Sequence, residues 1–373
     1  MDGQRPSRSG GIIAIGPVPP PVHGAARVTE SVVAQLAASG VTPTVVNTAV
    51  PLARGPRYHA IRAWRHLSAV ARLVGLRHSN NLVYIGGAGG KGLWYQALVV
   101  ATARMLRTTI YFHHHSFAYL NNHSLAMRAI VAAGGRDCTH IALCNRMASE
   151  LARCYPRATR IIVCSNAGLL PPPPASLATG SRERRFSGVT LCHLSNLSLE
   201  KGLAVVLQTF SRLYRRGLDV RLLIAGPALG AVEEAMLVEA AADFGDAFEW
   251  RGLIPPAEVP DFFAEADLFL FASAYLHEAE PLVVLEAARV GTPAVIIDVG
   301  CLSSLVVDES FAVADVATFH EKVESTVIAL LSGTPEAKAL RTRAGRHFES
   351  MWGGSRIAHD DLTERLIAEG STP

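Results

Sequence analysis

Two carboxylates, Glu278 and Glu286, stand eight positions apart in the stretch HEAEPLVVLEAARVGTPAV, His277 to Val295. Pro281 stands where a first helical turn tolerates a missing N–H. Leu282, Leu285, Glu286 and Arg289 follow at helical spacing, and Gly291 stops the run. The flanking segments ADLFLFAS (Ala266 to Ser273) and PAVIID (Pro293 to Asp298) read as buried strands. A loop carboxylate and a helix carboxylate therefore flank a helix N-terminus at the carboxyl end of a parallel strand. Free N–H groups and the helix dipole favour an anion there, so the expected ligand is phosphorylated.

Upstream, GVTLCHLSNLSLEKGLAVVLQTF places Lys201-Gly202 after a strand and a loop, at the start of a helix, 77 residues ahead of Glu278. A compact cation beside a helix N-terminus is suited to neutralising a diphosphate. The spacing of Gly86, Gly87, Gly89, Gly90 and Lys91 does not make a P-loop, because Gly92 follows the lysine in place of Ser or Thr. No G-x-G-x-x-G follows either first strand, which argues against a Rossmann oxidoreductase. TTIYFHHHSF reads as a strand ending in His113, His114 and His115; neighbours on a strand point to opposite faces, so the three do not chelate a metal together easily.

The string from Glu278 through Leu285-Glu286-Ala287 to Gly291-Thr292-Pro293, with Lys201-Gly202 ahead of it, resembles the retaining glycosyltransferases of family four. The resemblance covers nearly the whole chain and is strongest from Gly188 to Val307. It implies the GT-B fold, α/β, with two doubly wound Rossmann-like domains facing across a cleft. It implies transfer of a sugar (hexosyltransferase-like) from a nucleotide diphosphate sugar to an acceptor, with retention of anomeric configuration. A place in cell-surface glycan or glycolipid synthesis would follow. The alternatives are a sugar-nucleotide epimerase of the same fold and a non-catalytic nucleotide-sugar-binding protein.

By the same resemblance Glu278, Lys201 and His115 are the catalytic candidates. Glu278 faces the donor sugar's hydroxyls, Lys201 the diphosphate, and His115 the transferred sugar, with His113 second in line because it shares a face with His115. Glu286 holds the ribose, Gly252 and Leu253 line the base pocket, and Leu282 belongs to the donor-binding set. Gly24, beside His23 in a Pro/Gly loop, brings backbone near the diphosphate or acceptor. Two departures stand out. Asn196 occupies the place of a family arginine, and Ala279-Glu280-Pro281 replaces a glycine-rich loop. No cofactor and no metal are implied.

The elements that must position these residues alternate along the chain as strand, loop and helix, the pattern of βαβ units with parallel sheets. At 373 residues the chain is long enough for two such domains. The expected division is an N-terminal domain over 1–169, a linker over 170–187 stiffened by Pro171 to Pro174, a donor-binding domain over 188–350, and a helical tail over 351–373 packing back on the first domain. Trp352 is expected in that contact.

Charge divides along the same line. Residues 1–169 hold 18 Lys and Arg against 4 Asp and Glu, a balance of +14, and the remainder holds 17 against 28, a balance of −11. The basic half calls for something anionic, and no helix-turn-helix, zinc-finger or RNA-recognition pattern points to nucleic acid. Residues 56–78 read as a basic amphipathic helix, with Arg57, Arg62, Arg65, Arg72 and Arg77 among Ile61, Trp64, Leu67, Val70, Leu73 and Leu76. The expected partners are a nucleotide sugar, a glycan or lipid-linked acceptor, and an anionic membrane surface. No apolar run approaches the length that crosses a bilayer, and the polar start MDGQRPSRSG lacks a signal-peptide core. Six cysteines without C-x-x-C spacing read as free thiols. The expected location is cytoplasmic, with peripheral attachment to the inner face of the cytoplasmic membrane as the further option.

Overall fold

The computed structural model describes residues 11–21, 24–50, 56–77, 82–175 and 186–371; His23 and residues 176–185 of the expected linker lie outside them. The chain forms two compact units, Met1–Leu169 with Gly354–Pro373, and Leu170–Gly353.

In the first unit the chain runs β1 (Ile12–Gly16), α1 (Gly24–Ala38), β2 (Thr44–Asn47), α2 (Pro56–Gly75), β3 (Leu82–Gly86), α3 (Gly92–Met105), β4 (Thr109–His113), α4 (Ala118–Asn121), α5 (Leu125–Gly134), β5 (Thr139–Ala142), α6 (Asn145–Cys154), β6 (Arg160–Val163). The strands form one parallel sheet in the order β2-β1-β3-β4-β5-β6. Each residue of β1 and β3 is buried, which is why both read as unbroken apolar runs: a parallel strand is covered on both faces. The tandem of histidines departs from the sequence reading, because β4 ends at His113 and leaves His114 and His115 in the loop beyond.

Alternate strand residues Ile12, Ala14, Leu82, Tyr84, Tyr111 and Ile141 gather on one face with Val32 and Leu36 of α1 and with Leu362 and Leu366. The last two belong to the final helix, which thus covers that face together with α1. Right-handed crossovers put the helices that lead to β3, β4, β5 and β6 on the opposite face.

The second unit runs β7 (Val189–Leu194), α7 (Leu203–Arg215), β8 (Val220–Ala225), α8 (Ala231–Phe244), β9 (Phe248–Trp250), α9 (Val259–Ala264), β10 (Leu268–Phe271), α10 (Leu282–Arg289), β11 (Ala294–Ile297), β12 (Ala312–Val313), α11 (Val316–Ser332), and enters α12 (Pro335–Gly370). Its parallel sheet has the order β12-β11-β10-β7-β8-β9. The chain starts in the middle, builds outward through β8 and β9, then returns to build β10, β11 and β12 on the other side. That is the doubly wound Rossmann order, and its switch point lies between β7 and β10. Both units are α/β, as the GT-B expectation requires.

The start of the expected linker is held by the second unit: Arg289 Nε donates to the carbonyls of Pro171 and Pro172, each at 3.0 Å. Trp352 also belongs there, its Nε1 donating to Leu170 O at 3.0 Å. The tail residues that pack in the first unit are Leu362 and Leu366, four apart on one helix face. His359 joins them, its Nε2 lying 2.9 Å from Ser165 O. Cys138, Cys154, Cys164 and Cys192 are free thiols as expected, whereas Cys144 and Cys301 depart from that expectation, each being disulfide-bonded.

Candidate functional site

Strands β7 and β10 run side by side, with Leu191 opposite Leu268 and Cys192 opposite Phe269. Beyond them their loops diverge, which opens the crevice that ligands of doubly wound sheets use. The β7 loop carries Lys201 and the β10 loop carries Ser273, Tyr275 and Glu278. Lys201 Nζ donates to Glu278 Oε2 at 2.6 Å, and Ser273 Oγ donates to the same oxygen at 2.8 Å. The ammonium also sits over the Tyr275 ring, 4.5 Å from its centroid. Glu278 is 7% exposed, so this is a largely dehydrated ion pair in which each charge depends on the other.

Backbone fixes the two loops together. Ala274 N–H donates to Glu200 O at 2.9 Å, and Gly202 takes a left-handed conformation with φ +84°. A Cβ added at Gly202 would fall onto the Ala272 carbonyl, so the lysine must be followed by glycine for both conformational and steric reasons. Gly202→Ala is therefore expected to lower stability by about 1–3 kcal/mol or more, seen as a drop of several degrees in the thermal midpoint, and to displace Lys201. A thermal melt checks it; an unchanged midpoint would remove the constraint. A third loop closes on the site at Gly300, with φ +61°, where a Cβ would lie 2.6 Å from Glu278 O and 2.7 Å from Ala279 O.

Beneath Lys201 lies His193, fully buried in β7. Its Nδ1 is 2.9 Å from Leu270 O and so carries the proton, leaving Nε2 to accept from Ser195 Oγ at 2.9 Å. Burial, with a smaller push from the Lys201 charge and against the hydrogen bond to Leu270, lowers its pKa to about 4. A neutral imidazole next to the lysine leaves Lys201 as the charged member of the two.

Helix α10 begins after Pro281, an N-cap with no side-chain bond, and ends before Gly291, whose φ is +80°. Leu282 is buried at its start, and Glu286 lies one turn on, half-buried. Helix α7 has Gly202 as N-cap, also without a side-chain bond; the Leu203 N–H turns to Ser198 O at 3.3 Å, which leaves the rest of the first turn to an anion. Farther along the carboxyl edge of the sheet, Gly226 N–H donates to Gly252 O at 2.6 Å and Trp250 Nε1 to Gly226 O at 3.1 Å. Gly252 has φ +62°, Leu253 is 78% exposed beside it, and Asn196 is exposed in the β7 loop.

The structure thus brings Lys201 and Glu278 into contact and puts Leu282, Glu286, Asn196, Gly252 and Leu253 on the loops and helix starts of the same unit. Gly24 and His115 lie in the first unit. Gly24 opens α1 and is exposed, with no atom within 4 Å of the place a Cβ would occupy. His113 and His115 share a side, ring centroids 4.2 Å apart, whereas His114 turns to Tyr119 OH at 2.7 Å and His140 at 3.0 Å. His113 Nδ1 lies 2.7 Å from Tyr84 OH. Burial raises the Tyr84 hydroxyl well above its ordinary pKa, so it stays protonated and donates. His113 is fully buried and His115 half-buried, with the Nε2 of His115 itself covered. Among the described residues no group of three or more His, Cys, Asp and Glu side chains is placed to hold a metal ion.

Sequence reasoning did not select Ser273, Tyr275, His193 or Gly300. A hydroxyl closing the apolar strand ADLFLFAS was a usable signal for Ser273, since strand carboxyl ends face the ligand. The other three act through contacts between segments distant in the sequence.

Residues 186–347 match the family model of glycosyl transferases group 1, which spans most of the second unit. Among solved structures, sucrose-phosphate synthase from Thermosynechococcus elongatus superposes with a TM-score of 0.72 at 16% identity, covering 97% of this chain and 100% of that one. Anabaena HepE in complex with UDP-glucose gives 0.66 at 16% identity, covering 96% and 99%. The catalytic domain of starch synthase IV from Arabidopsis thaliana, bound to ADP and acarbose, gives 0.68 at 13% identity, covering 96% and 100%. No curated protein sequence matches the chain. The fold is GT-B, built from two Rossmann-like units.

Proposed function

We propose that the chain transfers a sugar from a nucleoside diphosphate sugar to an acceptor, with retention of anomeric configuration and without a metal ion. The observation that carries this reading is the Lys201–Glu278–Ser273 cluster at the switch point of the second sheet, inside the segment that matches glycosyl transferases group 1. In that reading Lys201 and the first-turn N–H groups of α7 neutralise the leaving diphosphate, which is where negative charge grows in the transition state. Glu278 has its Oε2 saturated by Lys201 and Ser273, and its Oε1 accepts from a hydroxyl of the donor sugar. Glu286 accepts from the ribose hydroxyls, Leu282 packs beside it, and Gly252 and Leu253 border the base. Asn196 supplies a neutral donor near the phosphates. Gly24 and His115 enter from the resemblance alone, as backbone near the diphosphate or acceptor and as a group near the transferred sugar. HepE and starch synthase IV were each solved with a nucleotide or nucleotide sugar, and that supports the donor class.

Proton NMR on the sugar released or transferred, read before mutarotation and in the presence of a chelator, tests the stereochemical and metal claims together. The expected result is the donor's own anomer at an undiminished rate. An inverted anomer, or activity abolished by chelation, would contradict the proposal. Glu286→Ala is expected to weaken nucleoside diphosphate binding about 10-fold, the loss of roughly 1.5 kcal/mol from one charge-assisted hydrogen bond. Calorimetry reads it, and equal affinities would take Glu286 off the ribose.

A further inference from the structure

Helices α2 and α3 lie side by side on one face of the first sheet. Their contact is built from named residues: the His66 and Tyr95 rings are 5.3 Å apart, and Arg62 lies over Gly92, where a Cβ would collide with its guanidinium. Both helices bury an inner face, with Ala69 and Leu73 on α2 and Leu93, Val99, Val100 and Ala103 on α3. A helix covering a sheet ordinarily turns polar residues outward. These two do not. The outward stripe of α2 is Ala60, Trp64, Leu67, Ala71 and Val74, at the alternating four- and three-residue spacing of a single helix face. That of α3 is Trp94, Leu98 and Met105. Trp64 is 71% exposed, Trp94 56% and Met105 84%.

The charge around these stripes is mostly of one sign, the exception being Asp137, which pairs with Arg104 of α3 at 2.6 Å. From residue 31 to residue 136 the chain contains eleven Lys and Arg and no Asp or Glu. Arg57, Arg72 and Lys91 are exposed on or beside the two helices. An exposed apolar patch rimmed by polar residues marks an interaction or membrane-binding site. Exposed Trp and Leu set among arginines fit the interfacial zone of an anionic bilayer, where indoles sit at headgroup depth and arginines meet lipid phosphates. No helix among the described residues is long and apolar enough to cross a membrane.

We infer that the outer faces of α2 and α3 form a surface that docks on an anionic lipid bilayer, with Trp64, Leu67, Trp94, Leu98 and Met105 inserted and the arginines on the headgroups. The inference goes beyond the transfer reaction and does not depend on it. Because Trp64 and Trp94 are two of four tryptophans, their fluorescence reports insertion directly.

The test is sedimentation of the full chain with phosphatidylcholine vesicles, with and without phosphatidylglycerol, alongside quenching of tryptophan emission by lipids brominated on the acyl chain. Two variants accompany it, Trp64→Gln/Trp94→Gln and, as the arginine variant with its lysine, Arg57→Gln/Arg72→Gln/Lys91→Gln, each checked for folding by circular dichroism. The expected result is binding that requires phosphatidylglycerol, weakens with salt, and quenches the indoles. The arginine variant should partition about 100-fold more weakly, at about 1 kcal/mol for each charge removed, and the tryptophan variant should lose the quenching. No sedimentation with anionic vesicles at low salt overturns the inference. So does salt-sensitive sedimentation with unquenched tryptophans, which is plain charge adsorption. A concentration-dependent dimer abolished by Trp64→Gln/Trp94→Gln overturns it too, by assigning the face to a second copy of the chain.

Discussion

Lys201→Ala and Glu278→Ala are each expected to cut turnover of a nucleotide sugar by about 10- to 100-fold, the loss of roughly 1.5–3 kcal/mol from one charge-assisted contact. The double variant should be little worse than the poorer single one. The reason is the 2.6 Å bond between Nζ and Oε2 in a site where Glu278 is almost wholly buried. Removing either partner strands the other charge, and removing both does not repeat that penalty. The two singles should differ in kind. Lys201→Ala loses affinity for the free nucleoside diphosphate as well as rate, since the diphosphate is present in the ground state. Glu278→Ala keeps most of that affinity and loses rate, since its assigned target is the sugar being transferred. Lys201→Arg keeps part of both. A double-mutant cycle in kcat/KM, with calorimetry on the nucleoside diphosphate, reads all of this. Fully multiplicative losses would show that the two side chains act separately.

Stability should fall as pH drops from about 6.5 towards 4, well before most carboxylates titrate. Burial holds His113 and His114 well below their ordinary pKa, and neighbouring imidazoles push each further down. Burial takes His140 to about 4, and burial with the Lys201 charge takes His193 to about 4. The sign follows from linkage. In that window the unfolded chain accepts protons at these sites and the folded chain does not, so acid favours unfolding. Each such histidine costs up to about 1.4 kcal/mol per pH unit, or about 3 kcal/mol from pH 6.5 to 4 for one lowered to about 4. His113, His114 and His140 belong to the first unit and His193 to the second, so the first unit should lose more. Urea midpoints at pH 7.5, 6 and 5 measure it. A midpoint unchanged between pH 7.5 and 5 would mean that these imidazoles are hydrated or charged in the folded chain.

Much of this architecture is legible because parallel strands buried on both faces leave unbroken apolar runs, as in Ile12–Gly16 and Leu268–Phe271. Helix ends were legible where glycine is obligatory, as at Gly291 with its φ of +80°. What stayed hidden is long-range. The resemblance put Lys201 and Glu278, 77 residues apart, in one site, but their direct ion pair comes from the sheet reversing direction between β7 and β10, which no local pattern encodes. Tyr275 and Gly300 act through the same convergence. The α2 segment shows a different failure. It read as one basic amphipathic helix, and the structure divides its apolar residues: Trp64 and Leu67 point to solvent while Leu73 points inward. Periodicity locates a stripe without saying whether protein or something else covers it. Alternation along β4 did foretell that His113 and His115 would share a side, although the strand itself stops at His113.

The most direct measurement is incubation of the intact chain with a panel of nucleotide sugars, with all nucleotide products separated and quantified. A donor-transferring site should release free nucleoside diphosphate from at least one member of the panel, slowly to water and faster with an acceptor, and Lys201→Ala should abolish most of that release. An epimerised sugar nucleotide formed with no free nucleoside diphosphate, or tight binding of a nucleotide sugar that is never turned over, would contradict the assignment of a transferase.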